Sequence, residues 1–288
     1  DYREAQTHPL DIAGLVLFGG GIALLSYVLE VFGDNTLNSY QVLGLLAFAM
    51  ILLVGYGVRA ARKAFPLLDL GLFRVRTFRA SVSGGFFTRL GLGGIPFLFP
   101  LLYQVGLGFS PVQSGLLVLP QAVASIGLKA FMPAILARLG YRNVLVANTI
   151  VVGLLIASFA TVDVDTPAWR IVAQAFILGF FTSMQYTSMN TLVYADISGP
   201  QTSGASTIAA TGQQLAISFG VAGASLIAAI FVPPGLHSHP AALVHGVQQA
   251  FLVLGALTIV SSVVFTELRK DDGDAISRHD GAHHEAGS

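Results

Sequence analysis

Eight long apolar runs, separated by short polar or Gly/Pro-rich segments, set the pattern of the chain. They cover residues 12–32, 41–58, 80–105, 112–137, 143–162, 168–192, 206–232 and 243–265, with GDNTLNS, GLGFSP, DVDTP and SGPQTSG among the separators. A helix needs about 20 apolar residues to cross the hydrocarbon of a bilayer. Each run therefore predicts a membrane-spanning helix. Barrel strands would be about ten residues long with strict alternation, and no such alternation is present. The expected class is an all-α polytopic membrane protein with eight transmembrane helices.

Composition sharpens this reading. Hydrophobic residues make up 54% of the 288 and charged residues only 10%, with a mean hydropathy of +0.72. Soluble domains carry about 25% charged residues. Lys+Arg and Asp+Glu are 15 each, so no basic surface is available for nucleic acid. The absence of cysteine excludes a disulfide framework, a thiolate nucleophile and a Cys-ligated metal.

The cations give an orientation. Arg3, the group Arg59, Arg62, Lys63, Arg74, Arg76 and Arg79, the pair Arg138 and Arg142, and Arg269, Lys270 and Arg278 all fall on one set of loops. Basic loops stay in the cytoplasm, so both ends of the chain are expected there. The opposite side holds Arg170 with Asp34, Asp163 and Asp165. Three regions follow: residues 1–79 with two spans (12–32, 41–58) and a basic connector, residues 80–267 with six closely linked spans, and a polar tail, 268–288, expected to be disordered. The connector, RAARKAFPLLDLGLFRVRTFR, reads either as an amphipathic interfacial segment or as an irregular loop.

Ionisable and amide side chains inside the spans mark candidate chemistry. A buried Arg or Lys costs roughly 2.5–3.5 kcal/mol at a helix centre and needs a reason to be there. At a rise of about 1.5 Å per residue, Arg89, Lys129, Gln185 and Gln213 fall at similar depths on four helices. With Gln214, they are the candidate substrate-cavity or coupling residues, since transporters place such sites near the midplane. The structural alternatives are snorkelling for Lys129 and interhelical hydrogen bonding for the glutamines. No Asp or Glu lies at that depth, so the buried cations call for an anionic ligand, backbone carbonyls or a carboxylate from elsewhere. Pro96, Pro100, Pro120 and Pro133 interrupt two spans, and Gly212, Ala216, Gly220, Ala224 and Ala228 recur every four residues as a close-packing stripe.

The segment PAILARLGYR, residues 133–142, resembles the major facilitator loop motif with core D-R-x-G-R-R/K. Arg138, Gly140 and Arg142 match as a gating-loop motif, while Ala137 stands in the place of the Asp, Tyr141 in that of the middle basic residue and Pro133 in that of the leading Gly. The stretches PLLDLGLFRVRTFR, GIPFLFPLLYQVGLGFSPVQSGLLVLP and NTLVYADISGPQTSGASTIAATGQQLAISFGVA, with the opening DYREAQTHPLD, resemble the second half of fourteen-helix drug:proton antiporters over residues 1–267. That resemblance implies two central linker helices followed by a six-helix carboxy-terminal bundle, without the family's first six helices. It also implies proton-driven export of hydrophobic, drug-like small molecules from the bacterial inner membrane by alternating access. The implied partners are the lipid bilayer, an amino-terminal six-helix bundle that carries the proton-coupling acids, the substrate, protons and an envelope adaptor protein. No cofactor is implied. The missing Asp at position 137 puts a charge-relay gate there in doubt.

The competing classes are weaker. Ser206 and Ser225 sit among small residues, as an intramembrane hydrolase would want, but an activated serine needs a base in reach and no histidine lies within a span except His245 at its mouth. Histidines 237, 239 and 245, and 279, 283 and 284, have no fixed geometry, so no metal is assigned. A passive channel would need a continuous wet path where the chain offers one polar layer. An inert half-transporter that needs a separately encoded partner is the other alternative.

Overall fold

The structure, a computed structural model, describes residues 11–34, 38–63, 68, 70–127, 132–232 and 240–273. Lys129 lies outside them. The described residues are all helical in their regular structure, without strands. Helices α1 (Ile12–Asp34) and α2 (Ser39–Arg62) form an antiparallel hairpin that a short 3₁₀ turn, Leu70–Arg74, follows. Six helical columns come next. The first is α3 (Arg76–Gly93), then α4 (Ile95–Pro100) running into a π-turn, Leu101–Gly106. The second is α5 (Pro111–Gly127) with α6 (Met132–Leu139); the third is α7 (Tyr141–Ser158). The last three are α8 (Ala168–Leu192), α9 (Thr202–Phe231) and α10 (Pro240–Phe265).

Five of these segments are long and apolar enough to cross a membrane: Tyr40–Arg62, Arg76–Gly106, Tyr141–Thr161, Gly199–Phe231 and Ala242–Phe265. The other expected spans differ for identifiable reasons. Among the described residues α1 contributes the shorter apolar stretch Ile12–Val28. Helix α5 is described for only 17 residues. Helix α8 has the length, 25 residues, but spends positions on Gln174, Gln185, Asn190 and several hydroxyls.

The first column packs on the fifth, the second on the fourth, and the third on the sixth, while α10 also touches α3. Small residues permit this. A Cβ on Gly153 of α7 would meet the Gly255 carbonyl of α10 at 2.7 Å, and one on Gly220 of α9 would meet the Leu90 carbonyl of α3 at 2.8 Å. The stripe on α9 is thus a packing face, with Ala216, Gly220, Ala224 and Ala228 buried. Between the columns lies an aromatic core in which Phe99 stacks on Tyr103 at 5.2 Å and tilts against Phe159 at 4.9 Å. The hairpin joins the bundle through α1 and α9, with Tyr56, Leu72, Phe78 and Ile208 in a satellite core. The outer faces, including Leu43, Ile51 and Val54 on α2, expose large apolar side chains that suit lipid.

Ion pairs gather at the Arg-rich end. Asp11 Oδ1 accepts from Arg59 Nη2 at 3.0 Å, pairs with Lys63 Nζ at 2.9 Å, and also caps the Gly14 amide. Its bonds to Lys63 and Arg59 hold its carboxyl well below the ordinary carboxylate range. The α3 helix starts four residues earlier than the sequence pattern suggested and brings Arg76 and Arg79 into its first turn. Arg76 Nε donates to Asp272 at 2.9 Å, Arg79 Nε to Glu267 at 3.2 Å, and Thr77 Oγ1 to Asp196 at 2.8 Å. The expected disordered tail is therefore corrected over its first residues. Residues 266–273 form turns in which Leu268 and Asp272 are buried, because Arg76 supplies a charge partner. Residues 274–288 lie outside the described set.

Candidate functional site

The fourth column, α8, organises the polar interior by presenting different residues on two faces. Thr182, Tyr186 and Asn190 recur every four positions and share one face; Gln185 and Met189 share another. On the first face, Arg89 of α3 sets its guanidinium carbon 4.7 Å from the centre of the Tyr186 ring and donates from Nη2 to Asn190 Oδ1 at 3.2 Å. Gln213 of α9 donates to the same oxygen at 3.0 Å. Three columns therefore converge on one amide. Gly85, one turn before Arg89, makes room: a Cβ there would meet Arg89 Nη1 at 2.6 Å. Arg89 is only 5% exposed, so its charge is held inside the bundle, where an arginine over an aromatic ring gains about 2 kcal/mol or more when desolvated.

Gln185 belongs to a separate network. It is fully buried toward α7, accepts from Asn148 Nδ2 at 2.6 Å and donates to Thr149 Oγ1 at 2.8 Å. That is the geometry of interhelical hydrogen bonding. Gln214 is exposed on α9. Of the residues singled out in the sequence, the structure thus joins Arg89 and Gln213 through Asn190, turns Gln185 elsewhere, leaves Gln214 at the surface and does not describe Lys129. Arg138 ends α6 exposed, Gly140 caps α7 with φ +73°, and Arg142 begins α7 half-buried. Only glycine takes that φ without strain, which explains the middle of the motif. A Cβ at position 140 would lie 3.5 Å from the Lys270 carbonyl, so this loop sits beside the clamp at the Arg-rich end.

Two cavities flank this face of α8. One, of about 440 Å³, lies between the α4–π-turn column, α5 and α8 and includes Phe99, Tyr103, Gln104, Ser114, Gln121 and Tyr186. The other, of about 610 Å³, lies between α5 and α8 and includes Gln121, Ser125, Ser183, Tyr186, Thr187 and Asn190. They share Pro96, Val118, Gln121, Thr182 and Tyr186. Both volumes fall in the range of small-molecule sites. The break at Gly94, Pro96 at the start of α4 and Pro100 at its end shape the first wall, because the freed backbone shifts into a π-turn in which the Leu107 amide bonds to Leu102. Tyr103, Gln121, Tyr186 and Asn190 do not stand out in the sequence; the four-residue spacing on α8 is the signal that marks two of them.

The described residues thus form an apolar helical bundle with a polar seam beside cavities of ligand size, the architecture of a polytopic membrane protein. No protein-family model matches the chain. Individual relatives do. A protein named for multidrug resistance, MdtD of Pectobacterium atrosepticum, is 32% identical over 268 residues, covering 92% of this chain and 57% of the relative. MdtD of Shigella sonnei is 34% identical over 226 residues, 78% of this chain and 48% of the relative. HsrA of Haemophilus influenzae, named as a transport protein, is 31% identical over 275 residues, 96% of this chain and 59% of the relative. Over most of its length the chain is similar to these bacterial proteins, which carry the names of transporters and not of enzymes. It spans about half the length of the curated relatives it matches.

Proposed function

We propose that this chain is the carboxy-terminal part of a proton-coupled exporter of hydrophobic, drug-like molecules, working by alternating access in the bacterial inner membrane. The observation that carries the reading is the pair of cavities along the polar face of α8, on a chain alike over most of its length to proteins named for multidrug resistance and transport. In this reading α1 and α2 are linker helices, the six columns from α3 to α10 form one transporter bundle, and the Arg-rich end faces the cytoplasm. An amino-terminal six-helix bundle supplies the rest of the cavity and the proton-carrying acids, and an envelope adaptor extends the path outward. The loop with Arg138, Gly140 and Arg142 acts as a cytoplasmic hinge. It works without the acid of the usual motif, since position 137 is alanine.

The test is accumulation of a fluorescent probe in a bacterial strain stripped of its own drug exporters. The chain is expressed alone and joined to an amino-terminal half of the same superfamily protein. Efflux only from the joined form, abolished by a protonophore, supports the proposal. Probe movement down its gradient regardless of the protonophore would make the chain a channel. No movement from either form would make it an inert half.

A further inference from the structure

We propose that the joined cavities along α8 take an organic anion, with its charged end beside Asn190 and Tyr186 and its apolar body against Phe99 and Val118. This deepens the exporter reading and rests on it for its biological meaning. The first reason is charge. Arg89 offers five N–H donors, and a single hydrogen-bond acceptor, Asn190 Oδ1, meets them among the described residues. The sequence places no Asp or Glu in 80–162, 166–195 or 197–266, so this bundle holds no counter-charge for a bound cation and an unbalanced positive charge for a bound anion.

The second reason is the direction of the free polar groups. Asn190 Oδ1 is used twice, by Arg89 and Gln213, which leaves the Asn190 NH2 as a donor on the cavity wall. Further along, Tyr103 Oη, Ser114 Oγ and Thr182 Oγ1 are buried without a protein partner and belong to residues of the neighbouring cavity wall. Buried hydroxyls of this kind require pairing, and a hydroxyl can rotate to donate to an acceptor that reaches it. Arg89 stands one side chain behind the wall and acts through Tyr186 and Asn190, so it is a positioning and field-setting residue. The third reason is the lining itself, where Leu92, Ile95, Phe99 and Val118 surround these few polar atoms; such a mixture selects an amphiphile. A carboxylate from the remainder of the protein is the other source of negative charge for Arg89, and the experiment separates the two.

Saturation binding of radiolabelled taurocholate, an amphiphilic sulfonate, is measured on the full-length protein in neutral nanodiscs, with tetraphenylphosphonium as the apolar cation. The expected result is saturable taurocholate binding that weakens about tenfold in Arg89→Gln and less than about threefold in Arg89→Lys, the tenfold step corresponding to about 1.4 kcal/mol. Asn190→Asp guards against a misfolded Arg89 variant, because the new carboxylate pairs with Arg89; it is expected to abolish taurocholate binding and admit tetraphenylphosphonium. Binding of tetraphenylphosphonium alone, binding of neither probe, or taurocholate binding indifferent to Arg89→Gln would overturn the proposal, the last by assigning Arg89 to an internal carboxylate. Efflux from the same preparations keeps the two readings apart. Anion binding without transport would leave this site standing and remove the exporter, whereas export of the cation without anion binding would do the reverse.

Discussion

Gly153 on α7 and Gly255 on α10 face each other so closely that neither accepts a side chain: a Cβ on Gly255 would lie 2.6 Å from the Gly153 carbonyl, and the reverse contact would be 2.7 Å. Backbone meets backbone here, and at Gly255 the next atoms are Ala157 Cβ and the Ala157 backbone nitrogen, neither of which can yield by a side-chain rotation. Within a bilayer, where apolar burial between helices gains little over lipid, such close approach is the main source of association. Gly255→Val is therefore expected to cost about 1–3 kcal/mol through overpacking, and to reduce the yield of monodisperse protein in detergent. Gly44→Ala on α2, where a Cβ meets nothing within 4 Å, serves as the matched control. Equal melting temperatures for the two variants would refute the role given to this crossing.

The contact between Arg76 and Asp272 makes a second prediction, one that depends on pH. Burial opposes ionisation of Asp272, but the bonds from Arg76 and from the Arg269 amide outweigh it and hold its carboxyl below the ordinary 3.8. A depressed carboxylate contributes stability that is complete above its unfolded value and is lost as pH falls through the folded one. Arg76 keeps part of its side chain in solvent, so the pair is screened and contributes less than a fully buried one. Asp272→Asn should lower the melting temperature at neutral pH by a few degrees, with the gap to wild type constant down to about pH 4 and closing below it. A gap that instead opened on acidification would contradict the assignment.

Much of the helical pattern was legible because hydropathy follows lipid contact: among the described residues the eight runs fall on helices, and 168–192 matches α8 to the residue. What the pattern hid is where charges pair. Arg76 and Arg79 read as loop, yet they form the first turn of α3 because Asp272 and Glu267, almost two hundred positions away, receive them. Within the site, depth alone grouped Arg89, Gln185 and Gln213, since equal rise along a helix gives equal height. Azimuth then divides them. Gln185 and Tyr186 are adjacent in sequence but about 100° apart on α8, so one faces α7 and the other the cavity. Asn190 escaped notice since an asparagine near a helix end carries no signal of its own; its meaning comes from Arg89 and Gln213 on two other columns.

That division of α8 yields a prediction for Gln185. Its amide joins Asn148 and Thr149, but neither partner depends on it alone: Asn148 Nδ2 also donates to the Phe181 carbonyl at 2.9 Å, and Thr149 Oγ1 to the Leu145 carbonyl at 2.6 Å. Replacing Gln185 by Leu thus removes the bonds to Asn148 and Thr149 and a weak one to Met189 Sδ, and leaves one Asn148 N–H unpaired while both partners keep another bond. Hydrogen bonds between membrane helices average about 0.6 kcal/mol, which places the expected loss near 1 kcal/mol, at the low end of the cost of breaking a buried network. Melting of Gln185→Leu in detergent should drop by only a few degrees, and the ratio of anion to cation binding should stay at the wild-type value. Arg89→Gln should show the opposite profile, with the binding ratio changed far more than the melting point. If Gln185→Leu altered that ratio at an unchanged melting temperature, the glutamine would have to be counted with the cavity despite facing α7.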